Sequence, residues 1–446
     1  MKICVINGSP RGQYSVTLHT SLYLEKRFSQ HSFEYVDVGR RIRHTDEEMQ
    51  KAEQAMHAAD VVLFSYPVYT FIAPSQLHFF FRRLKERGCN FEGKFATQIS
   101  TSKHFYDVTA HRYVEENCQD LGMKVIHGLS ADMEDLTTEK GQRDAEHFME
   151  YLQACVEQDI YEPRMKQKTS SGKNYVSDAI TNEKKQGKEI VLVADLHEGD
   201  ENLRMMMDDF VKAAAYPVKV VNIAEYPFQG GCLGCFNCAG DGVCIYKDRF
   251  DSFLRESIQN ADATVYAFTI CDHSMGPQFK MYDDRQFCNG HRTVTEGKPV
   301  GYLINGDIEM EANLKTILEA RSEVGHNFLA GIAQDAASMN MLLRRLDFAL
   351  ENNYVQPRNF YGVGGMKIFR DLIWVMRGLM KADHLFYKKH GVYDFPQKQW
   401  GKMLAMNLLG SLVRNPKIKA KMGNKMNEGM VAPYRKVLKK TECKKN

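Results

Sequence analysis

The sequence predicts an α/β protein with two doubly wound parallel sheets of five strands each and a helical, basic C-terminal extension. Three observations predict this class. Short apolar runs alternate with segments of helical spacing over residues 1–157, which is typical of a parallel sheet with helices on both faces. The pattern returns over residues 188–354, after a polar linker at 158–187. Lys and Arg then dominate residues 355–446.

The first domain has five candidate strands with helical segments between them. Five parallel strands favour the flavodoxin-like order, in which a ligand binds at the carboxyl ends of the strands. The predicted strands are Lys2–Ile6, Phe33–Val38, Val61–Ser65, Phe95–Ser100 and Lys124–His127, and the predicted helices are Tyr14–Gln30, Asp46–Ala59, Ser75–Arg87, Val108–Leu121 and Glu139–Val156.

The loop after the first strand has the composition of a phosphate site. It is small and rich in hydroxyl groups, and it leads into a helix whose N-terminus favours anions. Ser9, Ser15 and Thr17 offer hydroxyl donors, and Arg11 adds a fixed positive charge. The chain has neither the Gly-Lys-Ser/Thr of a nucleotide-triphosphate P-loop nor a GxGxxG dinucleotide fingerprint here.

Two motifs together resemble those of the flavodoxin-like NADPH-dependent FMN reductases. Asn7-Gly8-Ser9-Pro10-Arg11 is similar to the family's FMN phosphate loop, and Pro67-Val68-Tyr69 is similar to the loop that holds the edge of the isoalloxazine ring. A third flavin loop is expected after the fourth strand. The resemblance implies FMN contacts from Ser9, Arg11, Gln13, Tyr14, Ser15, Val16, Thr17, Pro67, Val68, Tyr69, Thr70, Phe71, Ser100, Thr101 and Ser102.

The second half of the chain repeats the first in a nearly constant register. Three segments echo the first domain at offsets of 202, 204 and 203 residues, and a strand-like run at Glu189–Asp195 implies an insertion of about fifteen residues before the third strand. This predicts two tandem domains that form a pseudo-dimer within one chain. The echoes pair Ala261–Phe268 with Ala59–Phe64, Gly297–Ile304 with Gly93–Ile99, and Gly331–Asp335 with Gly128–Asp132.

The second copy has lost the residues expected of a flavin site. Its first loop, Asp195-Leu-His-Glu-Gly-Asp200, has three carboxylates that would repel a phosphate. Thr269-Ile270-Cys271 stands where the first copy has Pro67-Val68-Tyr69. We therefore expect one FMN per chain, in the first domain.

A cysteine-rich insertion in the second copy is the other candidate site. Cys232, Cys235, Cys238 and Cys244 follow the pattern C-x2-C-x2-C-x5-C, with glycines between them. Thiolates at this density favour a metal or a cluster, and the spacing resembles the compact motif of the iron-sulfur flavoproteins, relatives of the FMN reductases. A [4Fe–4S] cluster, free thiols or a disulfide, and zinc are the alternatives.

The composition limits the cellular context. The 446 residues contain no apolar run of 18 or more, so no transmembrane helix is expected. No secretory leader is apparent, and a cytoplasmic location is expected, in which the 11 cysteines need not form disulfides.

The C-terminal extension is basic and is predicted to be helical, with interruptions at Pro396, Pro416 and Pro433. Residues 355–446 contain 20 Lys and Arg against 5 Asp and Glu, whereas the net charge of the whole chain is only +3. The alternatives are helices packed across the two domains, a lid over the flavin, and contact with a membrane surface or an acidic partner. No nucleic-acid motif is visible, so no nucleic-acid partner is expected.

These features predict an FMN-dependent NAD(P)H oxidoreductase. Hydride would pass from NAD(P)H to FMN, and electrons would pass on to a small-molecule or protein acceptor, in one version through a [4Fe–4S] cluster. No catalytic acid or base is required. The alternatives are a flavin or quinone reductase without a cluster and an electron-carrier module that docks a redox partner. A homo-oligomer, or the pseudo-dimer within one chain, is expected.

Overall fold

The computed structural model describes residues 1–163, 175–177, 182–418, 428 and 431–435. The chain divides into two compact units, Met1–Tyr387 and Lys388–Asn446. Both parallel sheets lie in the first unit. Parts of the predicted linker and of the predicted C-terminal extension lie outside the described residues.

The first sheet is formed by residues near the N-terminus, and all its strands are parallel. Its strands are β1 (Lys2–Asn7), β2 (Ser32–Asp37), β3 (Val61–Pro67), β4 (Phe95–Ser102), β5 (Lys124–Val125) and β6 (Leu129–Asp132), and its helices are α1 (Val16–Arg27), α2 (Asp46–Ala58), α3 (Ser75–Glu86), α4 (Asp107–Asp120) and α5 (Glu139–Gln158). The order is β2-β1-β3-β4-β5, with β6 also paired to β4. This is the predicted flavodoxin-like order.

The first sheet has six strands, whereas the sequence predicted five. The expected strand Lys124–His127 ends at Val125 as β5, and an additional strand, β6, follows outside the predicted range; β5 and β6 pair with successive parts of β4. Gly128 lies at the break, where an added Cβ would be 2.3 Å from the backbone oxygen of Gln98. The close approach of the two backbones interrupts the regular ladder at this point.

The second sheet repeats the topology of the first. Its strands are β7 (Ile190–Ala194), β8 (Val218–Asn222), β9 (Ala263–Thr269), β10 (Pro299–Asn305) and β11 (Phe328–Ala333), and its helices are α6 (Glu201–Ala213), α7 (Phe250–Phe253), α8 (Pro277–Arg285), α9 (Ala312–Val324) and α10 (Ala336–Asn352). The order β8-β7-β9-β10-β11 matches that of the first sheet strand for strand. The predicted fold class, with two such sheets, is confirmed.

Equivalent helices of the two sheets pack against each other. Helix α3 follows the third strand of its sheet and packs on α8, which follows the third strand of the other, while α4 packs in the same way on α9. One cluster of buried apolar side chains extends through both, from Phe81 and Tyr113 to Phe279 and Tyr302. The contact therefore has the form of an isologous dimer interface, in which the same surface is used twice.

Charged side chains link α4 to the second sheet at the edge of this interface. His273 lies after β9, and its Nε2 is 2.9 Å from Asp120 Oδ2, while its Nδ1 is 3.1 Å from Glu311 Oε2. Asp120 also accepts a 2.7 Å hydrogen bond from Lys85 Nζ. Burial lowers the pKa of His273, but the hydrogen bonds to Asp120 and Glu311 outweigh it and raise that pKa to about 10.

Further helices follow β11 and α10 in the described part of the chain. They are α11 (Phe360–Val375), α12 (Lys381–Lys389) and α13 (Trp400–Val413), and α11 packs against α9. Pro396 opens a 3-10 turn at Pro396–Lys398. Within the described part of the chain, no helix has the length and apolar character that crossing a bilayer requires.

Neutral substitution of His273 tests this ion-pair network. A group whose pKa is raised by folding stabilises the protein below its unfolded pKa, near 6.5, and that stabilisation is lost as the pH rises through about 10. We expect the free energy of unfolding of the wild type to exceed that of His273→Gln at pH 6. The difference should shrink by pH 10, by about 1.4 kcal/mol for each unit of pKa shift.

Urea unfolding at both pH values measures this difference. The exposed His147 on α5 provides the control, because His147→Gln should follow the pH dependence of the wild type. A difference between the wild type and His273→Gln that stays constant from pH 6 to pH 10 would contradict the ion-pair network.

Candidate functional site

A cavity of about 450 Å³ lies at the carboxyl ends of the first sheet, and both halves of the first unit line it. Residues that follow β1, β3 and β4 form one wall. The cysteine loop, residues 229–249 of the insertion between β8 and α7, forms another. The volume is in the range of pockets that hold cofactors.

The loop after β1 brings hydroxyl groups and the N-terminus of α1 to the cavity. Asn7 Oδ1 accepts a hydrogen bond from Ser9 N, and Ser9 Oγ accepts one from Arg11 N. The backbone at Gly39 packs closely against this loop, since a Cβ there would lie 2.3 Å from Ser9 O. Ser15 caps α1 by accepting a hydrogen bond from Leu18 N. The turn therefore presents the first N–H groups of α1, which suit an anion.

The loop after β3 is held in an unusual backbone conformation. Thr70 and Phe71 have φ angles of 45° and 72°, a region that L side chains seldom adopt. Val68 N donates to Thr101 O, and Tyr69 N donates to Ile72 O. Thr101 Oγ1 and Ser102 Oγ, at the end of β4, are buried and make no hydrogen bond to the described residues. They are suitable donors for a bound polar molecule.

Helix α8 of the second sheet fixes this loop with buried charges. Lys280 Nζ donates to Tyr69 O at 2.8 Å and to Asp284 Oδ1 at 2.5 Å. Asp284 Oδ2 accepts from Ser75 N at 2.7 Å, at the first turn of α3, where Pro74 offers no side-chain cap. Burial raises the pKa of Asp284, and Lys280 opposes that shift. The second half of the unit therefore supplies the cap that α3 lacks.

The cysteine loop contacts two of the loops of the first sheet. Gln76 Nε2 donates to Cys232 O at 3.2 Å. Gly234, at a φ of +60°, approaches Tyr69 so closely that an added Cβ would lie 1.8 Å from the phenol oxygen. The guanidinium of Arg11 lies 6.0 Å from the ring centroid of Phe236. The loop therefore forms the wall opposite the phosphate-type turn.

Arg285 holds the base of the cysteine loop. Its guanidinium is buried, makes hydrogen bonds of 2.7 and 2.8 Å with Asp248 and donates to Gly230 O. It lies 4.5 Å from the ring centroid of Tyr246. Its Nη2 is also 3.7 Å from Cys244 Sγ, which places a fixed positive charge beside that sulfur.

The four cysteines of the motif all line the cavity. Burial raises the pKa of Cys232, and it raises that of Cys238 to about 11, so a metal would have to displace protons from these thiols. Among the described residues, no three of these sulfurs lie within 4.8 Å of one another, as the thiolates around one tetrahedral zinc ion would.

Most of the predicted residues meet at this cavity. Gln13 and Tyr14 do not line it and are exposed, while Ser100 is turned away and shares a 2.8 Å hydrogen bond with His111 Nε2. Those that do line it are Ser9, Arg11, Ser15, Val16, Thr17, Pro67, Val68, Tyr69, Thr70, Phe71, Thr101, Ser102, Cys232, Cys235, Cys238 and Cys244.

The sequence did not single out the cavity residues contributed by α11. Met366, Phe369 and Leu372 line the cavity. The ring of Phe369 lies 4.4 Å from that of Phe105 and 4.5 Å from that of His291. The sequence predicted helices in this region and gave a lid over the flavin as one alternative, without assigning these three residues to the site. Helix α11 adds an apolar wall to the cavity.

Comparisons with known proteins find a family match in the N-terminal part of the chain. Residues 1–133 match the family described as NADPH-dependent FMN reductase. No curated protein matches the sequence. Solved structures similar to part of this chain include a NAD(P)H:quinone oxidoreductase from Methanothermobacter marburgensis, with 14% identity, coverage of 37% of this chain and 99% of that one, and a TM-score of 0.28.

Two further solved structures are similar to a comparable part of the chain. An FMN-dependent NADH-azoreductase from Bacillus anthracis in complex with FMN is 13% identical, covers 36% of this chain and 100% of its own, and has a TM-score of 0.26. A mutant flavodoxin from Pseudomonas aeruginosa is 16% identical, covers 35% of this chain and 99% of its own, and has a TM-score of 0.28.

The family match spans the strands and loops that form the first wall of the cavity. The resemblance of the two sequence motifs is thus confirmed: residues 1–133 match the family model of the NADPH-dependent FMN reductases.

Proposed function

We propose that the chain is an FMN-dependent NAD(P)H oxidoreductase in which the cysteine loop holds a [4Fe–4S] cluster that receives electrons from the flavin site. The supporting observation is the shared cavity, which the phosphate-type turn, the Pro67-Val68-Tyr69 loop and all four cysteines line together. The two candidate sites are neighbours, although they are more than 150 residues apart in the sequence.

The residues at the first wall fit FMN. Ser9, Ser15, Thr17 and the N–H groups at the start of α1 suit its phosphate, with Arg11 as a counter-charge. The buried hydroxyls of Thr101 and Ser102 and the loop at Tyr69 suit the ring system. When bound, FMN takes hydride from NAD(P)H and releases electrons in pairs or singly.

The cysteine loop fits a cluster through its four sulfurs and the charge of Arg285 beside Cys244. Such a cluster carries one electron at a time. Cys238 Sγ also lies 3.2 Å from Phe287 O, which limits its motion. Together with α11, the loop lines the cavity around whatever binds there. Zinc at these sulfurs, or free thiols, would leave the same fold with hydride transfer alone.

Several wider features belong to the same proposal. We propose that the chain arose as a tandem repeat, so that domains 1–157 and 188–354 form a pseudo-dimer, with 158–187 as linker and 355–446 as the extension. We also propose a cytoplasmic setting and an acceptor that is a small molecule or a redox protein. A flavin or quinone reductase without a cluster is the second candidate, because the family match covers the flavin domain alone.

Iron, acid-labile sulfide and FMN content decide between these candidates. Protein purified without oxygen should contain about four iron and four sulfide per FMN, as expected for one cubane cluster. Cys235→Ser should lose most of the iron and keep FMN, whereas Cys271→Ser, a cysteine that does not line the cavity, should keep both. Wild-type protein that contains FMN but less than one iron per chain would contradict the cluster and favour the second candidate, a reductase without a cluster.

Substitution of Arg11 tests where the phosphate of FMN binds. Replacing a charge-assisted contact should weaken FMN binding by about tenfold, and Arg11→Gln should leave riboflavin, which has no phosphate, almost unaffected. Flavin fluorescence titration measures both affinities. Arg43→Gln, an exposed arginine outside the cavity, is the control. Equal losses for FMN and riboflavin would place the phosphate elsewhere.

Gly234 tests whether the cysteine loop shapes the flavin site. A methyl group at this position meets Tyr69 and strains a positive φ, so Gly234→Ala should weaken FMN binding by about tenfold or more. Gly240 lies in the same loop with no atom within 4 Å of an added Cβ, so Gly240→Ala should bind FMN as the wild type does. Equal FMN affinities for the wild type, Gly234→Ala and Gly240→Ala would mean that the cysteine loop does not shape the flavin site.

A further inference from the structure

Helix α13 has the character of a buried helix and yet is exposed. Trp400, Leu404 and Leu408 share one face, with exposures of 70, 63 and 61%. Met406, on the opposite side, is 55% exposed, and Leu409 beside it is half-buried. A helix with apolar residues on every side is normally enclosed by a protein core or by lipid. This helix therefore needs an apolar environment that the described residues of its own unit, Lys388–Asn446, do not supply.

The length of α13 limits what that environment can be. Fourteen residues of helix span about 21 Å, which is too short for the 30 Å hydrocarbon core of a bilayer. Apolar helices of this length occur in protein cores or in the interfacial layer of a membrane. A helix that lies in the interfacial layer places apolar side chains among the acyl chains and keeps its basic flanks at the headgroups.

The charge around α13 indicates which kind of surface it meets. Residues 395–427 contain seven Lys and Arg and no Asp or Glu. Lys402 is the only charged residue within the helix, and Arg414 and Lys417 follow directly after it. Such clusters next to an apolar segment are attracted to anionic headgroups, and long basic side chains can reach the headgroups while their stems stay among apolar groups.

We propose that α13 and its basic flanks anchor this protein peripherally to a membrane surface of anionic lipid. The apolar side chains of α13 enter the boundary between headgroups and acyl chains, and the basic residues on either side pair with lipid phosphates. The proposal does not rest on the flavin site, because the residues found to line the cavity all belong to Met1–Tyr387, as far as the structure describes the chain.

Vesicle flotation of the full-length chain tests the anchor. Wild-type protein should float with vesicles of phosphatidylcholine and phosphatidylglycerol, and weakly or not at all with phosphatidylcholine alone. Leu404→Asp combined with Leu408→Asp should lower the bound fraction by about tenfold or more, because two charges enter the apolar layer. Arg414→Gln combined with Lys417→Gln should abolish the preference for the anionic lipid.

A matched control separates this effect from a general response to added charge. Met341 and Phe348 on α10 are each 53% exposed, so their double Asp variant adds the same charge elsewhere and should float as the wild type does. Circular dichroism checks the fold of every variant.

Two results would overturn the proposal. The first is wild-type protein that floats with neither kind of vesicle. The second is binding that survives the Leu404→Asp and Leu408→Asp changes. In the first case, a wild type that is a dimer by light scattering and an α13 variant that is a monomer would identify a second copy of the chain as what covers α13.

Discussion

The buried pair of Lys280 and Asp284 is the interaction on which the cavity depends. Both side chains are fully enclosed, and together they hold Tyr69 O and Ser75 N, the two ends of the loop at the proposed flavin. A buried ion pair is tolerated when each remaining donor and acceptor finds a partner, and loss of one member costs about 3–5 kcal/mol. The loop of one sheet is therefore shaped by a helix of the other, and neither half has a complete site alone.

Helix α8, which contains Lys280 and Asp284, also positions the cysteine loop that forms the second wall of the cavity. Arg285 directly follows Asp284, and it holds Asp248 and Gly230 at the base of the cysteine loop. Consecutive residues of α8 thus face different partners, and a single turn of helix sets the distance between the loop at Tyr69 and the sulfurs. Any rotation of α8 would move both walls at once. This explains why so many charged groups are buried in one short helix despite their desolvation cost.

The alternation of apolar and helical segments was sufficient to predict both sheets, because each buried parallel strand is a nearly continuous apolar run. The edge strand β8 was not identified, since Lys219 and Val220 face solvent and its pattern is no longer apolar. The break at Gly128 depends on the approach of Gln98, which no local pattern encodes. At the site, the loops and cysteines were recognisable as motifs. The sequence did not show that these loops and cysteines converge on one cavity. Lys280, Asp284 and Arg285 bring them together, and in the sequence these residues resemble an ordinary charged helix face.

Joining both sheets in one chain has a consequence for how the two halves can differ. In a dimer of identical subunits, every substitution at the shared surface occurs twice, so a loop that suits one side must also be tolerated on the other. Within a single chain each position occurs once. The loop after β7 could therefore acquire carboxylates and the insertion before α7 could acquire cysteines without altering the turn after β1. The proposed division of labour between a flavin half and a cysteine half requires this loss of symmetry.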